Sequence, residues 1–261
     1  MVTGGVVNGE SGLPLPVGES EILAPQGDSF APGPPMTVHR VNHITAVQEG
    51  RLFACGAEFF LIIGPLQPPS CDIYSPELSK WANVSFDRTI FWSTSVVFQG
   101  RVCLAGGQLI QWSTDERLLL ANFTCFDSLT KAGRPLSPMR LRRFAPASVV
   151  LEDEAGNASY VVVCGGGAYD ELSNGTLSSC ERYDPAVDKW EWFPSMNVKR
   201  SFFGMVAVQD RIYAFGGHAY TVWNSTVLSS VEYWNSRDNN WTLTDNLQLP
   251  YPLGAFAIVR L

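Results

Sequence analysis

Short apolar runs that end in glycine recur along this chain with a period near fifty residues, and that repetition constrains the fold more than any other feature. They read VTGG (2–5), LFACGA (52–57), VCLAGG (102–107), VVVCGG (161–166) and IYAFGG (212–217). Their first glycines fall at 4, 56, 106, 165 and 216, so the spacings are 52, 50, 59 and 51. A fixed period of this size marks an architecture of stacked units, each too small to bury its hydrophobic face alone. Short runs rich in Val, Phe and Cys and closed by glycine read as strands.

Two further features repeat in register with the first. An aromatic or Leu precedes a second aromatic by seven residues: Leu23 and Phe30, Tyr74 and Trp81, Tyr183 and Trp190, Trp234 and Trp241. The third unit keeps Phe126 but has Gly133 in place of the second aromatic. A segment of the form Met-x-(Val/Leu)-x-Arg then follows, as MTVHR (36–40), MRLRR (139–143) and MNVKR (196–200), with VSFDR (84–88) in the second unit. Taken together, these motifs resemble the Kelch family, whose hallmarks are a double glycine ending the second strand, a Tyr in the third and a Trp in the fourth. SSCERYDPAVDKWEWFPSMNVKRSFF (178–203) and DRIYAFGG (210–217) carry the resemblance most fully, and it covers nearly the whole chain. Ala57 for a second glycine, Gly133 for Trp, and Leu253 where Arg is expected depart from it.

The resemblance implies an all-β fold, a β-propeller of four-stranded blades in a single domain. Radial stacking buries blade against blade and leaves only short protected edges. The repeats give five blades, at 1–38 plus 251–261, 39–87, 88–142, 143–199 and 200–250. The chain starts inside a second strand, and YPLGAFAIVRL (251–261) aligns with first strands such as ITAVQ (44–48) and MVAVQ (205–209). The C-terminal strand is therefore expected to complete the N-terminal blade and close the ring. The alternative is a piece of a longer propeller.

Six cysteines fall in three such units, one in each second strand and one in each third. Cys55 lies one before Gly56 and Cys71 three before Tyr74; Cys164 and Cys180 repeat both offsets at Gly165 and Tyr183. Cys103 is shifted back by two and Cys125 forward by two. Antiparallel partners stay opposite under such a paired shift, and a shift of two preserves the face. Facing residues lie within disulfide reach. The expected bridges are Cys55–Cys71, Cys103–Cys125 and Cys164–Cys180, the alternative being three pairs of thiols that act as small apolar fillers. Bridges imply an oxidising compartment. Asn-x-Ser/Thr acceptors at Asn83, Asn122, Asn157, Asn174, Asn224 and Asn240 point the same way. Twelve Asn and 36 Ser plus Thr would give under about two such patterns by chance. The expected location is therefore extracellular or in the secretory lumen, with the cytoplasm as the alternative. The first residues have no basic segment or apolar core of a signal peptide, so a secreted protein would need sequence upstream of Met1.

A partner surface follows from strand order. The loop between the second and third strands shares an end with the linker from blade to blade. Those loops are apolar for surface segments: 6–18, 58–69, 108–120, 168–177 and 218–228. Phe59, Phe60, Trp112, Tyr169, Tyr220 and Trp223 are candidate contacts, since Trp and Tyr dominate interface hot spots; the alternative is that they fold back onto the blade rims. Arg40, Arg88, Arg143 and Arg200 recur at the same end. The resemblance implies that some grip acidic peptides; otherwise they bond loop carbonyls between blades.

The function read from these features is a protein-binding module, extracellular or lumenal, with a protein or glycan ligand and a monomeric propeller. A second reading is a cytosolic Kelch substrate adaptor of a ubiquitin ligase. A third is a copper enzyme resembling galactose oxidase, but only His39, His43 and His218 are present, in units that a five-blade ring does not make adjacent. No catalytic activity, metal or cofactor is expected. A formal charge of −7 disfavours nucleic acid, which attracts clustered Lys and Arg. No apolar run approaches the roughly 20 residues that cross a bilayer.

Overall fold

The computed structural model describes residues 2–8, 14–23, 30–38, 44–48, 50–55, 70–85, 90, 92–111, 116–126, 133–152, 158–169, 174–220 and 224–254, some of them by backbone alone. The chain forms two compact units, Met1–Phe91 and Trp92–Leu261. Every described strand pairing is antiparallel.

The first unit holds sheet I (Val2–Asn8, Pro14–Leu23, Phe30–Pro32) and sheet II (Ile44–Gln48, Arg51–Cys55, Ser70–Ser75, Lys80–Ser85). The second unit holds three four-stranded meanders. Sheet III is Thr94–Phe98, Arg101–Ala105, Phe123–Phe126 and Gly133–Leu136. Sheet IV is Ala147–Glu152, Ala158–Cys164, Cys180–Asp184 and Lys189–Phe193. Sheet V is Gly204–Val208, Arg211–Phe215, Ser230–Asn235 and Asn240–Gln248. The closing strand expected over 251–261 falls mostly outside the described residues; 251–254 are described and are not strand.

The spacing of seven has a direct cause. A five-residue strand, a tight turn and a return strand set the two aromatics opposite one another: Tyr74 faces Trp81, Tyr183 faces Trp190 and Trp234 faces Trp241. Phe126 likewise faces Gly133. A Cβ added at Gly133 would lie 2.8 Å from the Phe126 ring, so that ring covers the place where sheets II, IV and V have Trp.

Sheet IV is buried on both faces, which explains its unbroken apolar strand VVVC. Alternation sends Val161 and Val163 toward sheet III, among Phe98, Cys103, Phe123 and Met139. It sends Val162 and Cys164 toward sheet V, among Met196, Ile212, Ala214 and Trp241. Period-two alternation with partners on either side is how strands covered on both faces read as continuous hydrophobic runs. The linker methionines Met139 and Met196 enter these two cores; in the first unit Met36 packs with Ala54, Tyr74 and Trp81.

The cysteines meet in register. Cys103 faces Cys125, Cys164 faces Cys180 and Cys55 faces Cys71. The first two pairs are disulfide-bonded, with Cα atoms 3.9 and 4.1 Å apart. The Cys55 and Cys71 side chains lie outside the described residues. In sheet V the same site holds Phe215 opposite Val231, and in sheet I Thr3 opposite Ser20.

Candidate partner-binding surface

Where the second strand of each sheet ends, the second unit repeats one backbone arrangement three times. The second glycine donates its N–H to a linker carbonyl: Gly107 to Arg143, Gly166 to Arg200 and Gly217 to Leu253, at 2.8, 2.8 and 2.7 Å. Those same linker residues donate their N–H to Leu120, Leu177 and Leu228. Glycine is required here by space as well as by dihedral angle. Gly165 has φ of 62°, and a Cβ on it would sit 2.3 Å from the Arg200 carbonyl oxygen. Leu253 keeps the arginine's place because these bonds use only its backbone.

The segments between second and third strands, read from sequence as loops, form short hairpins in this unit. They are Gln108–Gln111 with Glu116–Leu119, Gly167–Tyr169 with Asn174–Thr176, and His218–Tyr220 with Ser225–Val227. The double glycine turns the chain out of the main sheet, and pairing resumes immediately beyond it.

Arg143 and Arg200, candidates for gripping an acidic partner, are instead internal. Both side chains have no solvent exposure. Arg143 donates to the carbonyls of Gly165 (2.7 Å) and Ser179 (2.9 Å) and to Glu181 (2.8 Å). Arg200 donates to Gly216 (2.7 Å), to the Ser230 carbonyl (2.9 Å) and hydroxyl (3.0 Å), and to Glu232 (2.9 Å). Burial lowers both guanidinium pKa values, and the paired glutamate opposes the shift. The physical reason is that the Gly165 and Gly216 carbonyls lie beyond the last ladder pair, and a buried acceptor must be satisfied. The Ser179 and Ser230 carbonyls also accept the Gly165 and Gly216 N–H groups, at 3.0 and 3.1 Å. Arg40 and Arg88 lie outside the described residues.

The acids opposite these arginines form a repeat that reading the linkers alone does not reveal. Glu181 accepts the Arg140 and Leu141 N–H groups at 2.6 and 3.1 Å. Glu232 accepts those of Asn197 and Val198 at 2.7 and 3.2 Å. In the first unit Asp72 accepts the Val38 N–H at 3.4 Å and the Thr37 hydroxyl. Each acid stands two residues before the third-strand aromatic, at 72, 181 and 232 against 74, 183 and 234. Thr124 occupies that place in sheet III.

On this framework the second unit builds an aromatic cluster. Tyr169 stacks on Phe144 with ring centres 5.1 Å apart and planes at 20°, and Tyr220 stacks on the same ring at 6.2 Å and 24°. The two tyrosine rings are 6.3 Å apart. Trp92 lies 5.6 Å from Phe144 and 5.8 Å from Phe202. Trp92, Ala145 and Phe202 occupy equivalent places just before the first strands, with φ of 54°, 48° and 51°. They are joined in series: Ala145 donates to Trp92 (2.6 Å) and Phe202 to Ala145 (3.0 Å). Tyr169 is 55% exposed, whereas Phe144 is 3% exposed. Burial raises the Tyr220 phenol pKa, with the neighbouring Tyr169 hydroxyl adding to the shift.

Of the sequence candidates, Tyr169 and Tyr220 are thus brought together, while Phe59, Phe60, Trp112 and Trp223 lie outside the described residues. Sequence reading missed Phe144, Phe202 and Trp92; their shared signal is a position shortly after the linker arginine. His218 packs edge-on to Phe202 at 6.0 Å, and His39 and His43 lie outside the described residues. Among the described residues no three His, Cys, Asp or Glu side chains are grouped to hold a metal. Of the glycan acceptors, Asn83, Asn224 and Asn240 are exposed and Asn122 is half-buried. Asn157 and the Asn174 side chain lie outside the described residues.

Comparison with known proteins accords with this geometry. The Kelch motif family matches residues 199–248. Kelch-like protein 33 of Homo sapiens is 36% identical over 106 residues, covering 41% of this chain and 19% of that protein. Kelch-like protein 26 of Danio rerio is 26% identical over 209 residues, covering 79% of this chain and 32% of that protein. The chain therefore spans less than a third of the length of either relative. The solved structure titled "Structure of YjhT" superposes with a TM-score of 0.75 over 98% of this chain and 85% of that one. At 12% identity this likeness concerns the fold alone.

Proposed function

This chain belongs to the Kelch-repeat proteins, and from that premise we propose that it is a protein-binding β-propeller module. In this reading it is a monomeric five-bladed ring closed by residues 251–261, and it binds a partner without catalysing a reaction. The partner contacts the end of the sheets that carries the linkers and hairpins, with Tyr169 and Tyr220 as principal contacts in the second unit. One observation carries the proposal: an exposed Tyr169 ring held rigidly against buried Phe144. Large, pre-ordered aromatics lose little conformational entropy on binding and dominate hot spots.

Tyr169→Ala is expected to weaken retention of the cellular partner by about 30-fold, the scale of a 2 kcal/mol hot spot. Lys189→Ala, an exposed side chain at the start of the fourth strand of sheet IV and outside the hairpins, serves as the control and leaves retention unchanged. Affinity capture from the source cells, quantified for wild type and both variants, checks this. Equal retention of the same partner by Tyr169→Ala would overturn the assignment.

We place the protein outside the cell or in the secretory lumen. The bonded Cys103–Cys125 and Cys164–Cys180 pairs support this, as do the exposed acceptors Asn83, Asn224 and Asn240. The second reading is a substrate-recognising part of a cytosolic ubiquitin-ligase adaptor. Intact mass of natively produced protein, with thiol alkylation before and after reduction, separates the two. The lumenal reading expects no alkylation before reduction, six alkylated cysteines after it, and added glycan mass. Six reactive thiols and no glycan would sink it and leave the cytosolic adaptor.

A further inference from the structure

The aromatic surface is assembled from two sheets, so something must hold their hairpins in fixed relation. Tyr169 stands on the hairpin that leaves sheet IV, and Tyr220 on the one that leaves sheet V. The Thr176 side chain ties them by hydrogen bonds. The Thr176 hydroxyl accepts the Tyr220 N–H at 2.8 Å and donates to the Tyr220 carbonyl at 3.2 Å. Thr176 is 4% exposed, so water does not compete freely for either bond. A single hydroxyl can make both bonds because it offers one donor and two lone pairs. The equivalent places beside Leu120 and Leu228 hold Leu119 and Val227, which have no polar group to make such a link.

Gly167 completes the seat. A Cβ there would fall 1.7 Å from the Tyr220 hydroxyl, so the phenol lies directly over the Gly167 backbone. Thr176 fixes the Tyr220 backbone, and Gly167 leaves room for its ring beside Tyr169.

We infer that Thr176 is a positioning residue for the partner surface: it locks the hairpin of sheet V to that of sheet IV and so sets the spacing of Tyr169 and Tyr220. This rests on the proposed surface, but its test needs no partner, so its failure would leave the Tyr169→Ala result intact. The experiment compares wild type, Thr176→Val and Thr176→Ser for acetylation of each tyrosine by N-acetylimidazole, read peptide by peptide by mass spectrometry. Valine keeps the shape and removes both bonds; serine keeps the bonds. Tyr220 is expected to react about tenfold faster in Thr176→Val, as a lost buried hydrogen bond lets the hairpin open more often. In Thr176→Ser it is expected to react as in wild type, with Tyr169 reactive in all three. Equal Tyr220 rates in wild type and Thr176→Val would overturn the inference. Should Thr176→Val not fold, native-state hydrogen exchange of the wild-type Tyr220 amide decides instead. Slow exchange there supports the lock, and exchange at the rate of an unprotected amide in an unfolded peptide of the same sequence overturns it.

Discussion

Replacing Arg200 with alanine is expected to destabilise the second unit by about 3–5 kcal/mol, the cost of breaking one partner out of a buried ion pair. The size follows from what is left behind. Glu232 stays buried with its charge, holding the Asn197 and Val198 N–H groups but no cation. The Gly216 carbonyl loses the guanidinium donor as well, and the Ser230 carbonyl is left with the Gly216 N–H. Urea denaturation followed by tryptophan fluorescence measures the loss, because Trp234 and Trp241 sit in the core between sheets IV and V. Glu232→Gln retains an acceptor for the two linker N–H groups and removes the charge. Arg200→Met combined with Glu232→Gln is therefore expected to cost less than the sum of the single changes, by about 1 kcal/mol or more. A loss below about 1 kcal/mol for Arg200→Ala, the range of an exposed pair, would contradict the buried geometry. The same variant separates a structural arginine from a ligand-gripping one: per folded molecule, partner retention stays unchanged.

That arginine also marks what was and was not legible in the sequence. The motif Met-x-(Val/Leu)-x-Arg reads identically whether its arginine faces solvent or a strand-end carbonyl. The deciding information sits elsewhere, in the acid two residues before each third-strand aromatic. Asp72, Glu181 and Glu232 keep that offset, but the sheet is what brings each of them beneath the linker. Long-range pairing of this kind leaves no local periodicity to read.

Features governed by strand register were legible, because register is arithmetic. A separation of seven positions from Tyr183 to Trp190 allows one tight turn and places the rings opposite each other. The compensated displacement of Cys103 and Cys125 works by the same counting, and the backbone pairs them directly. The partner surface was legible only in part. Tyr169 and Tyr220 stood out as aromatics in segments read as loops, yet they lie on short hairpins. Phe144, which stacks with both, sits next to the linker arginine, outside the motifs that repeat. Its role depends on the left-handed conformation at Ala145, φ 48°, a backbone state uncommon outside glycine, Asn and Asp. Alanine gives no warning of it.

Trp190 tests the contact between neighbouring sheets, and Trp190→Ala is expected to cost about 3–5 kcal/mol, as for other buried aromatic truncations. The ring is 5% exposed and lies edge-on to Phe123 of sheet III at 5.2 Å, with Tyr183 at 5.4 Å. Its indole N–H donates to the Ser137 carbonyl at 2.8 Å, tying sheet IV to the linker that leaves sheet III. Trp241 repeats the bond to Pro194 and Trp81 to Pro34, each at 2.8 Å, so the indole is a recurring tie as well as core volume. Trp190→Phe separates the two contributions. It keeps most of the ring and loses the bond, and its cost is expected to be well below that of alanine, about 1–2 kcal/mol from the hydrogen bond and reduced packing. Thermal unfolding of wild type and both variants reads the difference. If phenylalanine proves as costly as alanine, the bond to Ser137 and not the packing dominates. If alanine costs less than about 1 kcal/mol, the two sheets do not depend on this ring. Sheet III supplies a natural contrast: Phe126 already occupies the space over Gly133, so Gly133→Trp is expected to crowd that ring and not to gain the stability Trp190 confers.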